Sequence, residues 1–182
     1  MIYFLLLLSG LKTNIMELLT AETEIRYAGF GKRMASHLID YFIICFVIVN
    51  VYYFFNAMVY SWFEANPEAF HRLYPDSEKY DTYRMATAIA FKWALVFNVF
   101  FSWGYYAGFE SSPWQATPGK KLMGLTITDV DGDRISFAKG SGRYFGKIIS
   151  GLILGLGYLA ILWTERKQGW HDQMSDCVVT EK

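Results

Sequence analysis

Charge is almost absent from three long stretches of the 182-residue sequence. Residues 41–60, 85–109 and 144–163 contain only two charged side chains, Lys92 and Lys147. A helix at the surface of a soluble protein carries charged and polar residues along its outer face, whereas these stretches lack such a charged face. With 53% hydrophobic residues, the composition excludes a disordered chain and disfavours a single soluble domain. An integral membrane protein is the class that the sequence favours.

Features of several other protein classes are missing as well. The 17 Lys and Arg residues are balanced by 17 Asp and Glu residues, so the basic excess typical of nucleic-acid binding is absent. The two cysteines, Cys45 and Cys177, are far apart and the three histidines are dispersed, so neither a disulfide framework nor a metal site is expected. Because no nucleophile and base occur at a catalytic spacing, we expect no enzyme activity, no catalytic residue and no cofactor.

Two of the uncharged stretches have the length of a membrane-spanning helix. The first extends over residues 34–60 and the second over residues 84–109. Twenty helical residues rise ~30 Å, which is the thickness of the hydrocarbon core. The third stretch, residues 144–163, is short and interrupted by glycines, which leaves a tilted span and a re-entrant pair of half-helices as alternatives. The predicted fold class is an all-α integral membrane protein with two clear transmembrane helices and this third apolar segment.

One extramembrane element is expected between the second and third stretches. Asp131 and Gly132 lie between two short β-prone stretches, residues 126–128 and 134–137. Asp-Gly at such a position is a common turn of a tight β-hairpin. The sequence therefore predicts a small β-hairpin within loop 110–143.

The N-terminal segment, residues 1–29, is set apart from a membrane domain over residues 30–182. Residues 2–8 are apolar but too few to span a membrane, and no basic region or cleavage site accompanies them. A second methionine, Met16, begins an ordinary polar segment, so we favour an extension of the translation start over residues 1–15. A weak signal peptide and a short interfacial helix are the alternatives.

The distribution of lysine and arginine predicts the orientation. Arg26, Lys32 and Arg33 precede the first span and loop 110–143 is basic, whereas loop 61–83 contains more acidic than basic residues. Cytoplasmic loops of membrane proteins carry an excess of lysine and arginine. We therefore expect an inner-membrane protein whose N-terminus and β-hairpin are cytoplasmic and whose loop 61–83 is external.

Charged side chains at helical spacing open the first span. Arg33, His37 and Asp40 fall on one helix face, and a carboxylate at membrane depth is costly unless it is paired. This pattern favours a buried Arg33–Asp40 ion pair; the alternative is an arginine that extends to the headgroups while Asp40 marks the span boundary. Lys92 either extends to the interface in the same way or, with His37, belongs to a transport pathway.

Four short motifs occur in an order typical of one family. They are residues 29–33 with Asp40, residues 117–125, Arg143, and residues 166–172. In these motifs the chain resembles the RDD family of small multi-pass membrane proteins over most of its length. The resemblance matches Arg33, Asp40 and Asp172 to the arginine and two aspartates for which the family is named, although Trp170 stands where the family usually has leucine. It implies transport, including exchange of monovalent cations for protons by some members.

Two functions are compatible with these features. In the first, the protein is a small transporter or transporter subunit in which Arg33, Asp40 and Asp172 form an ion or proton site. Asp172 is then within reach only if the third stretch re-enters or stays on the cytoplasmic half of the membrane. In the second, it is a non-transporting accessory or scaffold protein and these charges only join the helices. The expected partners are the lipid bilayer, further copies of the chain or other membrane subunits, and a monovalent cation or proton.

Overall fold

The architecture is described from a computed structural model. It covers Lys12 and residues 25–75, 82–152 and 155–182. Apart from Lys12, the expected start extension over residues 1–15, with its two alternatives, lies outside the described residues. The described fold therefore comprises residues 30–182, apart from two short gaps, and the few residues that precede them.

Two long apolar helices dominate the fold, as the sequence predicts. Helix α1, Phe30–Ala65, has 36 residues and helix α3, Thr82–Ser111, has 30, and both are long and apolar enough to cross a membrane. They pack against each other along small residues of α3, Ala86, Ala90 and Ala94, which recur once per turn and are buried. Large apolar side chains instead point outward on α1, where Phe42 and Phe46 are 71% and 72% exposed. Such an exposed apolar face is the expected surface of a helix in lipid.

The segment predicted as loop 61–83 is partly helical. Helix α1 continues to Ala65, and a second helix, α2, follows over Pro67–Leu73. Phe63 packs on Phe70 with their ring centroids 4.8 Å apart, so aromatic contacts hold α2 against the end of α1. Residues 76–81 of this loop lie outside the described part of the chain.

The predicted β-hairpin is wrong in its strand pairing. Strand β1, Leu125–Asp129, pairs antiparallel with strand β2, Cys177–Glu181, near the C-terminus, and residues 134–137 form no strand. The turn itself is present, because the Asp129 carboxylate accepts the N–H groups of Asp131 and Asp133 and Gly132 has a φ of 90°. The Asp-Gly turn thus reverses the chain without producing a hairpin.

The third apolar stretch is a bent pair of helices. The first helix of the pair is α5, Phe137–Leu152, which follows β1. A separate short helix, α4, Pro118–Leu122, precedes β1. Helix α6, Leu156–Leu159, continues into a 3-10 turn, Ala160–Leu162, and this second piece is inclined at 113° to α5.

The bend returns the chain toward the start of α1. Helix α7, Trp170–Gln173, contacts α5, and β2 follows it. The Ala28 N–H donates to the Val179 carbonyl, with N and O 2.9 Å apart. The segment between Trp163 and β2 therefore lies at the same end of the molecule as Arg33.

Candidate functional site

Six charged side chains from five parts of the fold meet in the interior, and we call them the charge cluster. All are less than 9% exposed, and they lie on α1, α3, α4, α5 and α7. The members are Arg33, Glu110, Lys120, Arg143, Lys147 and Asp172. Buried charges require partners, so their mutual contacts determine how these elements fit together.

Asp172 is held between two arginines. The Arg33 Nη1 atom lies 2.5 Å from Asp172 Oδ2, and Arg143 Nε lies 2.7 Å from Asp172 Oδ1. The Gly169 N–H also donates to Oδ2 at 3.1 Å and holds the carboxylate at the first turn of α7. Arg33 uses its other donors on the carbonyl oxygens of Ala28 and Lys167. Asp172 thereby fixes the C-terminal segment to both α1 and α5.

Glu110 is the second carboxylate of the charge cluster. It accepts from Lys120 Nζ at 2.6 Å and from Arg143 Nη1 at 2.8 Å, and Lys147 Nζ lies 3.5 Å from its Oε1 atom. Arg143 consequently bridges Glu110 and Asp172. The guanidinium is suited to this position because its planar N–H groups can donate hydrogen bonds to two carboxylates at once.

The expected Arg33–Asp40 ion pair is not what the structure contains. Asp40 is fully buried about two helix turns along α1 from Arg33. It accepts hydrogen bonds from uncharged donors: the Tyr105 hydroxyl at 2.8 Å, the Gly119 N–H at 2.8 Å and the Thr117 hydroxyl at 2.5 Å. Within the described ranges it has no ion pair. The physical reason is that Asp172 and two carbonyl oxygens already occupy the guanidinium of Arg33.

Burial and neighbouring charge determine the ionisation of Asp172, Lys120 and the adjacent His171. Burial alone would raise the pKa of Asp172, but Arg143 and Arg33 outweigh it and hold that pKa below its ordinary value. Burial lowers the pKa of His171 to about 3, despite the opposing attraction of Asp172. Burial also lowers the pKa of Lys120, which Glu110 counteracts. At neutral pH Asp172 is therefore ionised and His171 is neutral.

The two residues assigned to a transport pathway lie in different places. His37 is half-buried beside the charge cluster and packs on Tyr106, with ring centroids 6.0 Å apart. Lys92 is exposed and precedes Glu110 on α3 by 18 residues, which is roughly 27 Å along a helix. The structure therefore brings His37 to the cluster and leaves Lys92 away from it.

Four cluster members were not assigned to the site from sequence: Glu110, Lys120, Arg143 and Lys147. Glu110 ends a long apolar helix, where a charge is ordinary, and its partners come from other elements. One pattern could have indicated it, because Glu110 is the only acidic residue between Asp81 and Asp129 in a region that contains several basic ones. Lys147 stands inside a stretch that is otherwise uncharged, which is the same kind of indication.

Known proteins are similar to this chain over most of its length. The RDD family matches residues 27–176. The uncharacterized protein YxaI of Bacillus subtilis (strain 168) is 32% identical over 146 residues, which cover 80% of this chain and 91% of that protein. No solved structure matches the chain significantly.

Proposed function

Because the chain belongs to the RDD family, we propose that it is a multi-pass membrane protein acting as a small transporter, or as a transporter subunit, that exchanges a monovalent cation for protons. Two helices long and apolar enough to span a membrane support the membrane assignment. An ionisable residue inside such a helix is a functional candidate by default, because its burial is costly.

Asp40 is the observation that carries the transport proposal. Its carboxylate is fully buried on α1, and among the described residues its hydrogen-bond partners are all uncharged. Asp172 and Glu110, in contrast, are each neutralised by two or more cations at short distance. A carboxylate without a fixed counter-charge can exchange a proton for a cation, whereas one held by arginines stays ionised. We therefore assign the exchange site to Asp40 and a holding role to Arg33 and Asp172.

The change Asp40→Asn tests this assignment. It keeps the shape of the side chain and its acceptor oxygen while removing the proton site. Protein reconstituted in liposomes with an internal pH-sensitive dye should show proton flux driven by a Na⁺ or K⁺ gradient, and Asp40→Asn should lower that flux at least tenfold without changing the elution profile in detergent.

A matched control for this experiment is Asp131→Asn, which changes an exposed carboxylate at the turn and should leave the flux unchanged. Flux that persists at the wild-type level in correctly folded Asp40→Asn protein would make the assignment wrong.

The alternative proposal is a non-transporting accessory or scaffold protein. It is supported by the hydrogen bonds of Asp40, which hold Thr117 and Gly119 of the α4 start against α1. It is also supported by the satisfaction of polar groups: in the part of the chain that the structure describes, no buried side-chain nitrogen or oxygen lacks a hydrogen-bond partner. Absence of flux in the wild type for every cation tested would favour this function over transport.

We further propose that the protein lies in the inner cell membrane with a cytoplasmic N-terminus, and that it works with other copies or other membrane subunits. The Lys and Arg excess beside Arg33 and in loop 110–143 supports this orientation. The return of the chain to the Arg33 end supports a C-terminus on the same side.

Single cysteines test this topology. Ser61→Cys should react with a membrane-impermeant thiol reagent in intact cells, whereas Asp131→Cys and Gln173→Cys should react only after permeabilisation; all three positions are exposed in the fold. Wild-type protein, with Cys45 and Cys177, gives the background. Labelling of 131 but not 61 would reverse the orientation, and labelling of 173 without 131 would show that the third apolar stretch crosses the membrane.

A further inference from the structure

A cavity of about 230 Å³ lies beside the charge cluster. Arg33, Lys120 and Arg143 line it, together with the neutral imidazole of His171. Its other walls are mostly apolar, and no carboxylate is among the described residues that line it. A cavity of this size with cationic and apolar walls favours an anionic group over a cation.

A second cavity of about 430 Å³ adjoins the first, since His37 and Tyr158 line both. Lys147 lines this second cavity. Its ammonium lies 3.5 Å from Glu110 Oε1 and 4.1 Å above the centroid of the Tyr106 ring. Glu110 already receives two shorter ion pairs, at 2.6 and 2.8 Å. Lys147 is thus the cation of the cluster with the weakest carboxylate partner.

The buried charges do not balance. Four cations, Arg33, Lys120, Arg143 and Lys147, face two carboxylates in the charge cluster, and the nearby buried Asp40 adds a third. The sum is one surplus positive charge in the described interior. A buried cation without an anion is costly, and it either acquires a counter-ion or loses its proton. The two cavities provide space for a counter-ion next to this surplus.

The apolar residues at the rim of the first cavity indicate which kind of molecule bears the anionic group. Met34 lines the cavity and is 51% exposed, and Leu38, one turn further along α1, is 53% exposed. These side chains continue into the outward apolar face of the same helix, which we assign to lipid. A free inorganic anion would leave this apolar rim unused. A lipid can place its phosphate against the cations and its acyl chains along α1.

We infer that the two adjoining cavities bind the phosphate of an anionic membrane lipid, with Lys147 as the main counter-charge and with the acyl chains along Met34 and Leu38. This site goes beyond the proposed transport function and does not depend on it. The lipid supplies the negative charge that the buried cluster lacks, and it lies at the end of α1 where the headgroups are expected.

Lipid retention by the purified full-length protein tests this inference. Protein in mixed micelles of phosphatidylcholine and phosphatidylglycerol should retain phosphatidylglycerol through detergent washing, as measured by native mass spectrometry. Lys147→Gln should lower the retained fraction about fivefold, which corresponds to the loss of one lysine near anionic headgroups. Lys147→Arg should restore it, because the charge returns. Lys121→Gln is the matched control, since Lys121 is exposed on α4 and contacts Trp114 instead of the cavities.

A thermal-midpoint measurement separates the two sources of phosphate. Phosphatidylglycerol should raise the midpoint of the wild type, whereas inorganic phosphate at equal concentration should not. Equal stabilisation by inorganic phosphate would overturn the lipid assignment. If Lys121→Gln loses as much phosphatidylglycerol as Lys147→Gln, lipid retention is due to diffuse surface attraction and the proposed site is wrong. If Lys147→Gln does not fold, the wild type decides: no preference for phosphatidylglycerol over phosphatidylcholine would overturn the lipid site.

Discussion

Replacement of Arg143 by methionine is expected to lower the free energy of unfolding by about 3–5 kcal/mol, the usual cost of breaking a buried ion pair from one side. Arg143 is the bridge between Asp172 and Glu110, with contacts of 2.6 and 2.8 Å. Methionine fills much of the space but donates no hydrogen bond. Each carboxylate then keeps part of its cationic environment, from Arg33 or Lys120, and loses the group that joins α3, α5 and α7.

Thermal and denaturant unfolding in detergent would measure this loss. Arg143→Lys should give an intermediate stability, because an ammonium group keeps the charge but lacks the planar set of donors that bonds both carboxylates. Arg134→Met is the control, since Arg134 is exposed in the turn after β1. Wild-type stability in Arg143→Met would show that the charge cluster does not hold the helices together.

The second large effect is expected at Gly119, where alanine should destabilise the fold by about 1–3 kcal/mol, as is typical of an overpacked interior. A Cβ atom there would lie 2.7 Å from Asp40 Oδ1 and still closer to the Ser36 carbonyl oxygen. Neither atom can withdraw easily, because one belongs to the α1 backbone and the other accepts the Gly119 N–H. Only a residue without a side chain lets α4 approach α1 this closely.

Gly142→Ala provides a control of the same chemical size. Gly142 lies in α5 and a Cβ atom at that position would meet no atom within 4 Å. This substitution should leave the stability unchanged or raise it by about 0.5–1 kcal/mol, because glycine is entropically unfavourable in a helix. Equal unfolding midpoints for the two variants would mean that α4 is not in close contact with α1.

The two long helices of the fold can be predicted from local features of the sequence. Two uncharged stretches of sufficient length predict α1 and α3, since hydrophobic length alone determines a membrane span. The helical spacing with His37 and Asp40 indicates Arg33 as a site residue, whereas only the motif resemblance places Asp172 beside it, because 139 residues separate the two. No periodicity relates two side chains on different elements at that distance.

The strand pairing could not be obtained from local cues. Asp131-Gly132 favours a hairpin with the next stretch, and the turn indeed forms, but β1 finds a better partner in β2, whose sequence contains consecutive valines. The β2 strand supplies buried Cys177 and Val179 to the same core as Leu125 and Ile127. Tertiary burial therefore overrides the local preference for a hairpin.

The wide separation of Arg33 and Asp172 has a consequence for synthesis. Arg33 leaves the ribosome 139 residues before its carboxylate partner, which is roughly 7–28 s at about 5–20 residues per second. Throughout that interval the carboxylate that Arg33 contacts in the finished fold has not yet been made. Only when Asp172 and β2 emerge can α1, α5 and the sheet close on one another. Assembly of the interior is therefore a late event, completed from the C-terminal side after both long helices have been made.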